Sequence, residues 1–561
     1  MKNLKLILAA LAFATLALPA AHADTLNEDV TSMLSAMKGV YSAYYAPAAW
    51  KKQYAGYDLN TEYAKALGEL SQKTPLTMAD TRVIFRDFIY AMKDYHTSIS
   101  FTSTEAATLP IVARGAEGKV YLVSIDRTKL SEASFPFSLG DEVISIDGTA
   151  VNDVIQKLQD AFALNVEGTD RATAEMRLFA RRASRGFAMI PKGPVTLGLR
   201  RQGETSVSFI QLIWDYTPEK IAPRQNFFNL RRPVASGSLL RPDMTINTSD
   251  LDAAAPNAGK FDLGSRVSFM PALGQKIWEN AKDSTFDAYV YMNEDRKLVG
   301  YVRIPSYTPA DTTKAIAEFQ AIVAKMQSIT DSLVIDQVNN PGGSVFYLYT
   351  LASMLTDQPL ATPRHRMAIA QSDVLEALTL IDALKGVTSE DDIAQNPALA
   401  DFGGYPASLQ LINFERSYAQ FIVDEWNAGR KLTTPYWIAG VDHINPNPVR
   451  YTKPILVLIN ELDFSGGDFF PTIMQDNKRV TVMGTRTAGA GGYVNDVTVP
   501  NNVGVASFRV TMSIAERASG NPIENLGVTP DVEYKMTAAD YTMNFAPYVK
   551  AVKAALKQIT P

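Results

Sequence analysis

The stretch Ile455-Leu456-Val457-Leu458-Ile459-Asn460-Glu461-Leu462-Asp463-Phe464-Ser465-Gly466-Gly467-Asp468-Phe469-Phe470-Pro471 runs apolar, stops, and delivers a serine in front of two glycines. Its first part is short, rich in branched side chains and bounded by polar residues, which predicts a buried strand; the part after Gly467 predicts a helix. Ser465 therefore falls at a strand-to-helix turn. A hydroxyl can be held rigidly there, beside helix-start N–H groups that are free to stabilise an oxyanion. The same position is one that serine favours as a plain helix N-cap.

A serine nucleophile needs a base, and the chain has four histidines. His22 lies in a segment expected to be removed, which leaves His96, His365 and His443. His96 sits in Asp94-Tyr95-His96-Thr97-Ser98-Ile99-Ser100-Phe101, where the helical pattern Thr81 to Lys93 gives way to a strand-like one. A structural histidine packed at a helix end fits that place as well as a base does. His365 lies between Arg364 and Arg366, and His443 precedes Asn445-Pro446-Asn447-Pro448, so both read as solvated loop histidines. Further on, Arg479-Val480-Thr481-Val482-Met483-Gly484-Thr485-Arg486-Thr487-Ala488-Gly489-Ala490-Gly491-Gly492 reads as a strand and a glycine-rich loop.

That loop is similar to one in the tail-specific (C-terminal processing) serine peptidases, where a lysine between glycines is the general base. Here the position is Ala490, which takes no proton, so within that superfamily the base has to be a histidine. With Ser465, His96 and Ala490 in view, the chain resembles the chlamydial protease-like activity factor branch. The likeness includes Tyr45-Ala46-Pro47 with Trp50-Lys51-Lys52-Gln53-Tyr54, and Val334-Ile335-Asp336-Gln337-Val338-Asn339-Asn340-Pro341-Gly342-Gly343-Ser344. It continues in the Ser465 and Ala490 segments and in Ile523-Glu524-Asn525-Leu526-Gly527-Val528.

The resemblance implies a Ser-His-Glu catalytic set at Ser465, His96 and Glu524, with Glu524 accepting the imidazole N–H and fixing its tautomer. On its own residues Glu524 reads as a solvated loop acid. The resemblance also points to an oxyanion hole from the Gly343 and Gly466 amides, with Gly342 as the alternative to Gly343. Gly466-Gly467 stands where the family has larger residues and predicts a looser turn. No cofactor or metal is implied.

The N-terminus carries Lys2 and Lys5, an apolar run from Leu6 to Leu18, and Ala21-His22-Ala23, the pattern of a secretory signal cleaved after Ala23. The run is shorter than the roughly 20 residues of a membrane span. A secreted or periplasmic protein is expected, with no integral membrane segment after signal removal. The formal charge of −5 becomes two units more negative without Lys2 and Lys5, which argues against nucleic acid or an anionic membrane as partner. With no cysteine there are no disulfides and no thiolate metal sites, and a long chain can bury its core without such staples.

The expected organisation is α/β multidomain. Residues 1–23 form the signal, and 24–100 a helical N-terminal region contributing the histidine. From 101 to 222 a β-rich domain contains Leu139-Gly140-Asp141-Glu142-Val143-Ile144-Ser145-Ile146-Asp147-Gly148 and then a helix from Val154 to Leu164, similar to PDZ domains that add a peptide to a sheet edge. Residues 223–265 are a linker or, as the resemblance implies, a self-inhibitory segment, since Arg224 to Gly264 lose all periodicity. Residues 266–561 alternate strands and helices as an α/β catalytic domain, which the resemblance makes ClpP/crotonase-like. Two functions are carried forward. One is a secreted serine endopeptidase acting on protein or peptide substrates and activated by self-cleavage, with a homodimer left open. The other is a non-catalytic secreted binding protein of the same fold, for peptide or apolar ligand.

Overall fold

The computed structural model describes residues 25–164, 166–220, 243–245, 259–396, 405 and 407–560. The expected signal and most of the aperiodic segment lie outside them. Among the described residues no helix is long and apolar enough to cross a membrane.

Seven strands make the central sheet, in the spatial order Lys276–Glu279, Asp287–Met292, Leu298–Arg303, Ser332–Asp336, Ile455–Ile459, Thr481–Gly484 and Val532–Glu533. From Leu298–Arg303 onward every neighbouring pair is parallel. The apolar run reads as it does because the sheet is covered on both faces. Ile455, Val457 and Ile459 enter one hydrophobic cluster, while Leu456 and Leu458 enter another behind the sheet. The larger cluster continues without a break into the N-terminal helices and the β-rich unit, from Val30 through Leu122 to Val528.

The N-terminal region is helical at 25–44, Ala48–Ala55, Leu59–Ser71 and Met78–Tyr90. Thr77 and Asp80 close a capping box on the last of these, which fixes where the helix starts and so where it delivers His96. The β-rich unit is a six-stranded sheet including Ile111–Ala116, Lys119–Ile125, Glu142–Ile146, Pro194–Arg200 and Ser208–Ile213. Its sequence phrase folds as the strand Glu142–Ile146, a turn at Asp147-Gly148, the short strand Thr149–Ala150 and the helix Val151–Phe162.

A further, five-stranded sheet gathers parts from all over the chain. Its order is Ser98–Phe101, Val505–Thr511, Val494–Val497, Asp243–Thr245 and Gly342–Ser344. It joins the strand that follows His96 to the glycine strand expected at the oxyanion hole. Between them lies Asp243–Thr245, from the segment without sequence periodicity.

Candidate active site

Ser465 ends the loop after Ile459 and caps the helix Gly466–Asp476. Its backbone has φ 56° and ψ −112°, a sparsely populated conformation for a residue with a side chain. Close contacts maintain it. Phe464 N–H donates to Asn340 O at 2.8 Å, Gly467 N–H to Phe464 O at 2.7 Å, and Ser465 N–H to Asp468 Oδ2 at 2.7 Å. A Cβ added at Gly467 would lie 2.7 Å from Asn340 O, and one at Gly466 would lie 2.9 Å from Tyr307 Cδ2. The glycine pair therefore corrects the expectation of a loose turn: the glycines are what let two backbones meet, and the turn is tight.

His96 Nε2 lies 2.8 Å from Ser465 Oγ, and both residues are fully buried. The loop that carries the histidine is anchored by Asp94. Its Oδ1 accepts His96 N–H at 2.8 Å, and its Oδ2 accepts from Thr511 Oγ1 at 2.8 Å and Tyr45 OH at 3.0 Å. Burial pushes the imidazole down to about 4; Asp94 opposes that, while Arg509 and Lys51 add to it. A neutral imidazole beside a serine hydroxyl is the protonation state a general base requires.

Glu524 reaches this site but does not take the place expected of it. It is fully buried, and ligand atoms of Asp94, His96 and Glu524 lie within 4.8 Å of one another. Its oxygens are engaged elsewhere, Oε1 by the Lys51 ammonium and Oε2 by Gly491 N–H at 2.8 Å. A buried carboxylate gains more from a cation than from a neutral imidazole N–H. His96 Nδ1 consequently has no hydrogen-bond partner among the described residues. Burial first, then Asp94, pushes the Glu524 carboxyl up to about 7, against Lys51 and Gly491. The three groups have metal-ligating types, but the filled oxygens of Asp94 and the ammonium on Glu524 oppose a cation there.

The glycine loop is set by Asn340. Asn340 Oδ1 accepts Gly342 N–H at 2.8 Å, and Asn340 N–H donates to Asp463 Oδ1 at 2.9 Å. The Gly342 amide is thus engaged. Gly342 O and Ser344 N–H both bond Tyr307, so the amide of Gly343 faces the other way, as alternate residues of a strand must. A Cβ at Gly466 would come within 3.1 Å of Gly343 N, which places the two glycines expected to form the oxyanion hole side by side. Below them Arg303 pairs with Asp336 at 2.9 Å and donates to Val338 O at 3.0 Å, both side chains buried, which fixes the loop from its strand end.

Asp468 was not singled out by its sequence context, though Ser-x-x-Asp has capping-box spacing. It is fully buried. Its carboxylate accepts from Ser465 N–H, Gly489 N–H at 2.8 Å, Ala490 N–H at 2.9 Å and the Thr487 hydroxyl, so it ties the nucleophile turn to the loop that lacks a lysine. His365 is a correction too. It is buried, stacks on Phe469 with ring centroids 5.4 Å apart, and has its imidazole pushed down to about 3 by burial. The strand Arg364–Met367 turns its arginines outward and the histidine in. His443 is partly buried, with its ring nitrogens at Asp442 Oδ1 and at Gln410 Nε2, and makes no contact with the serine turn among its hydrogen bonds.

Residues 298–534 match the model of peptidase family S41, and residues 105–221 match a PDZ domain. A protein of Chlamydia muridarum is 35% identical over 100% of this chain and 98% of its own. One of Chlamydia trachomatis serovar D is 35% identical over 94% and 92%. The crystal structure of mature CPAF, the chlamydial protease-like activity factor, superposes with a TM-score of 0.84 at 33% identity, covering 96% of this chain and 98% of that one.

Proposed function

The chain belongs to the chlamydial protease-like activity factor branch of the S41 serine peptidases, and on that premise we propose that it is an exported endopeptidase that works through an acyl-enzyme at Ser465 and is restrained by its own segment 224–264. The contact between His96 Nε2 and Ser465 Oγ at 2.8 Å carries the catalytic reading. His96 takes the hydroxyl proton as Oγ attacks the substrate carbonyl. The Gly343 and Gly466 amides receive the developing oxyanion, and His96 then returns the proton to the leaving amine. Water repeats the sequence on the acyl-enzyme. Glu524 serves as the buried anion beside the imidazolium that forms, in place of a directly bonded partner.

Restraint is supported by the strand Asp243–Thr245. It pairs antiparallel with Gly342–Ser344, Met244 opposite Gly343, and Asp243 also pairs with Val494. An extended substrate would bind there in the same way, by adding a strand. Export is supported by the Leu6 to Leu18 run and the Ala21-His22-Ala23 site alone.

The binding-protein alternative is less well supported, because the edge of the PDZ-like sheet is already occupied by its own side chains. Gly115 N–H donates to Glu175 Oε2 at 2.8 Å, and Ala113 O accepts from Arg114 Nη1 at 2.9 Å. The deciding experiment is incubation with casein and a serine-reactive fluorophosphonate. Wild type should degrade the one and be labelled by the other. Ser465→Ala should do neither, and casein turnover by a folded Ser465→Ala protein would refute the proposal.

A further inference from the structure

Lys51 lies in the helix Ala48–Ala55, more than 400 residues from Glu524, and is completely buried, while the adjacent Lys52 is exposed. Its ammonium has three acceptors: Glu524 Oε1, Asn525 Oδ1 at 2.7 Å and Lys93 O at 2.7 Å. Those acceptors belong to two different loops. Lys93 has φ 56° and leads into Asp94 and His96; Asn525 has φ 61° and follows Glu524. Asn525 Nδ2 also donates to Lys93 O at 2.9 Å, and Trp50 Nε1 donates to Asn525 Oδ1 at 3.1 Å. One ammonium therefore joins the loop of the base to the loop of the carboxylate. Every acceptor of this lysine is drawn from the active site's own walls.

We propose that Lys51 is a positioning residue of the reaction, the counter-charge that keeps Glu524 ionised beside His96 and thereby sets the pH at which the base works. The inference rests on His96 acting as base. The charged and titratable groups that face this pair are Asp94 on the histidine loop, Arg509 on the strand Val505–Thr511, Tyr45 at the end of the first helix, and the Lys51 ammonium itself. Asp94 and Arg509 are held by other partners, Asp94 by Tyr45 and Thr511, Arg509 by Asp496. Lys51 and Glu524 are left as the couple whose charges act on the imidazole together. Lys51 lowers both the imidazole and the Glu524 carboxyl; an ionised Glu524 offsets that cation at His96, so the loss of either charge leaves the other to act alone.

The test is the rate of fluorophosphonate labelling of Ser465 against pH in the full chain. Lys51→Met leaves the carboxylate without its cation. Either His96 or Glu524 then takes up a proton at higher pH, and the acid limb should move up by about one unit or more. Glu524→Gln leaves the ammonium alone beside the imidazole, and the limb should move down. In the double variant both charges are gone; the limb should return close to its wild-type position, with the plateau rate still low. A purely structural lysine would lower rate or stability with all limbs unmoved. Glu524→Gln is isosteric, so an unmoved limb in that variant overturns the proposal even if Lys51→Met fails to fold. Loss of labelling in His96→Ala together with unmoved limbs would overturn this inference alone, whereas wild-type labelling of His96→Ala would overturn the catalytic assignment beneath it.

Discussion

Ser465 Oγ and His96 Nε2 meet at 2.8 Å across 369 residues of chain, each brought there by an element end and each without solvent exposure. Residues that act as a unit lose their effect together. Ser465→Ala and His96→Ala should each lower kcat by on the order of 10⁶, and the double variant should be barely worse. Glu524→Ala should cost less. Steady-state kinetics alongside circular dichroism checks this, and near-wild-type turnover in folded His96→Ala would remove the assignment.

The pH profile follows from burial. A base must be neutral to accept the serine proton, so the rate falls as pH drops through its pKa. An ordinary histidine places that fall near about 6.5. Burial carries the His96 imidazole down to about 4 and the Glu524 carboxyl up to about 7, so the rate should fall part-way as Glu524 loses its charge, persist below pH 6.5, and be lost on further acidification. The unfolded chain takes up the same proton at the ordinary value, so stability should decline as pH falls below it. Labelling rates and melting temperatures across pH 3 to 9 measure both effects. A rate still climbing above about pH 9 points to a different base.

Gly467→Ala tests the tight turn. The new methyl would sit 2.7 Å from Asn340 O, a backbone atom that cannot swing aside. Such overpacking costs about 1–3 kcal/mol, and here it also moves the serine relative to Gly343. Stability should fall by that amount and kcat with it, while KM changes little. A variant with unaltered kcat would show that the turn tolerates displacement.

The fold is most legible in the sequence where local pattern and burial agree. Leu333, Val334 and Ile335 within Ser332–Asp336, and all of Ile455–Ile459, are uninterrupted apolar runs because both faces of the central sheet are covered. Position was harder to read where only tertiary contact decides it. Lys51 and Lys52 are adjacent lysines in one helix, and only the fold makes the first a buried partner of Glu524. The arginine neighbours of His365 suggest water in the sequence, but in a strand adjacent residues point opposite ways, and the histidine is buried. Asp243–Thr245 carries no pattern of its own, since its partners are the backbone of Gly342–Ser344.

The pair Arg303 and Asp336 underlies the glycine loop. Removing one partner leaves a buried charge uncompensated, which costs about 3–5 kcal/mol. Asp336→Ala should lower stability by that much in urea unfolding, because the Arg303 guanidinium has the carboxylate at 2.9 Å and no solvent. A loss under about 1 kcal/mol, the size of an exposed pair, would show that the site rearranges to solvate it.

The segment 224–264 should both inhibit the enzyme and be cut by it. A tethered strand competes with substrate at high effective concentration, and Asp243–Thr245 lies along the strand that turns the Gly343 amide outward. Proline has no N–H to give to a ladder, so Met244→Pro should loosen that strand and raise the initial rate of casein cleavage. Wild type should mature into two fragments, while Ser465→Ala remains one chain. Adding wild type to Ser465→Ala in trans separates cutting within a chain from cutting between chains by its dependence on concentration. If wild type stays intact and fully active, and Met244→Pro changes nothing, the strand between Gly342–Ser344 and Val494 is a structural linker and the restraint lies elsewhere.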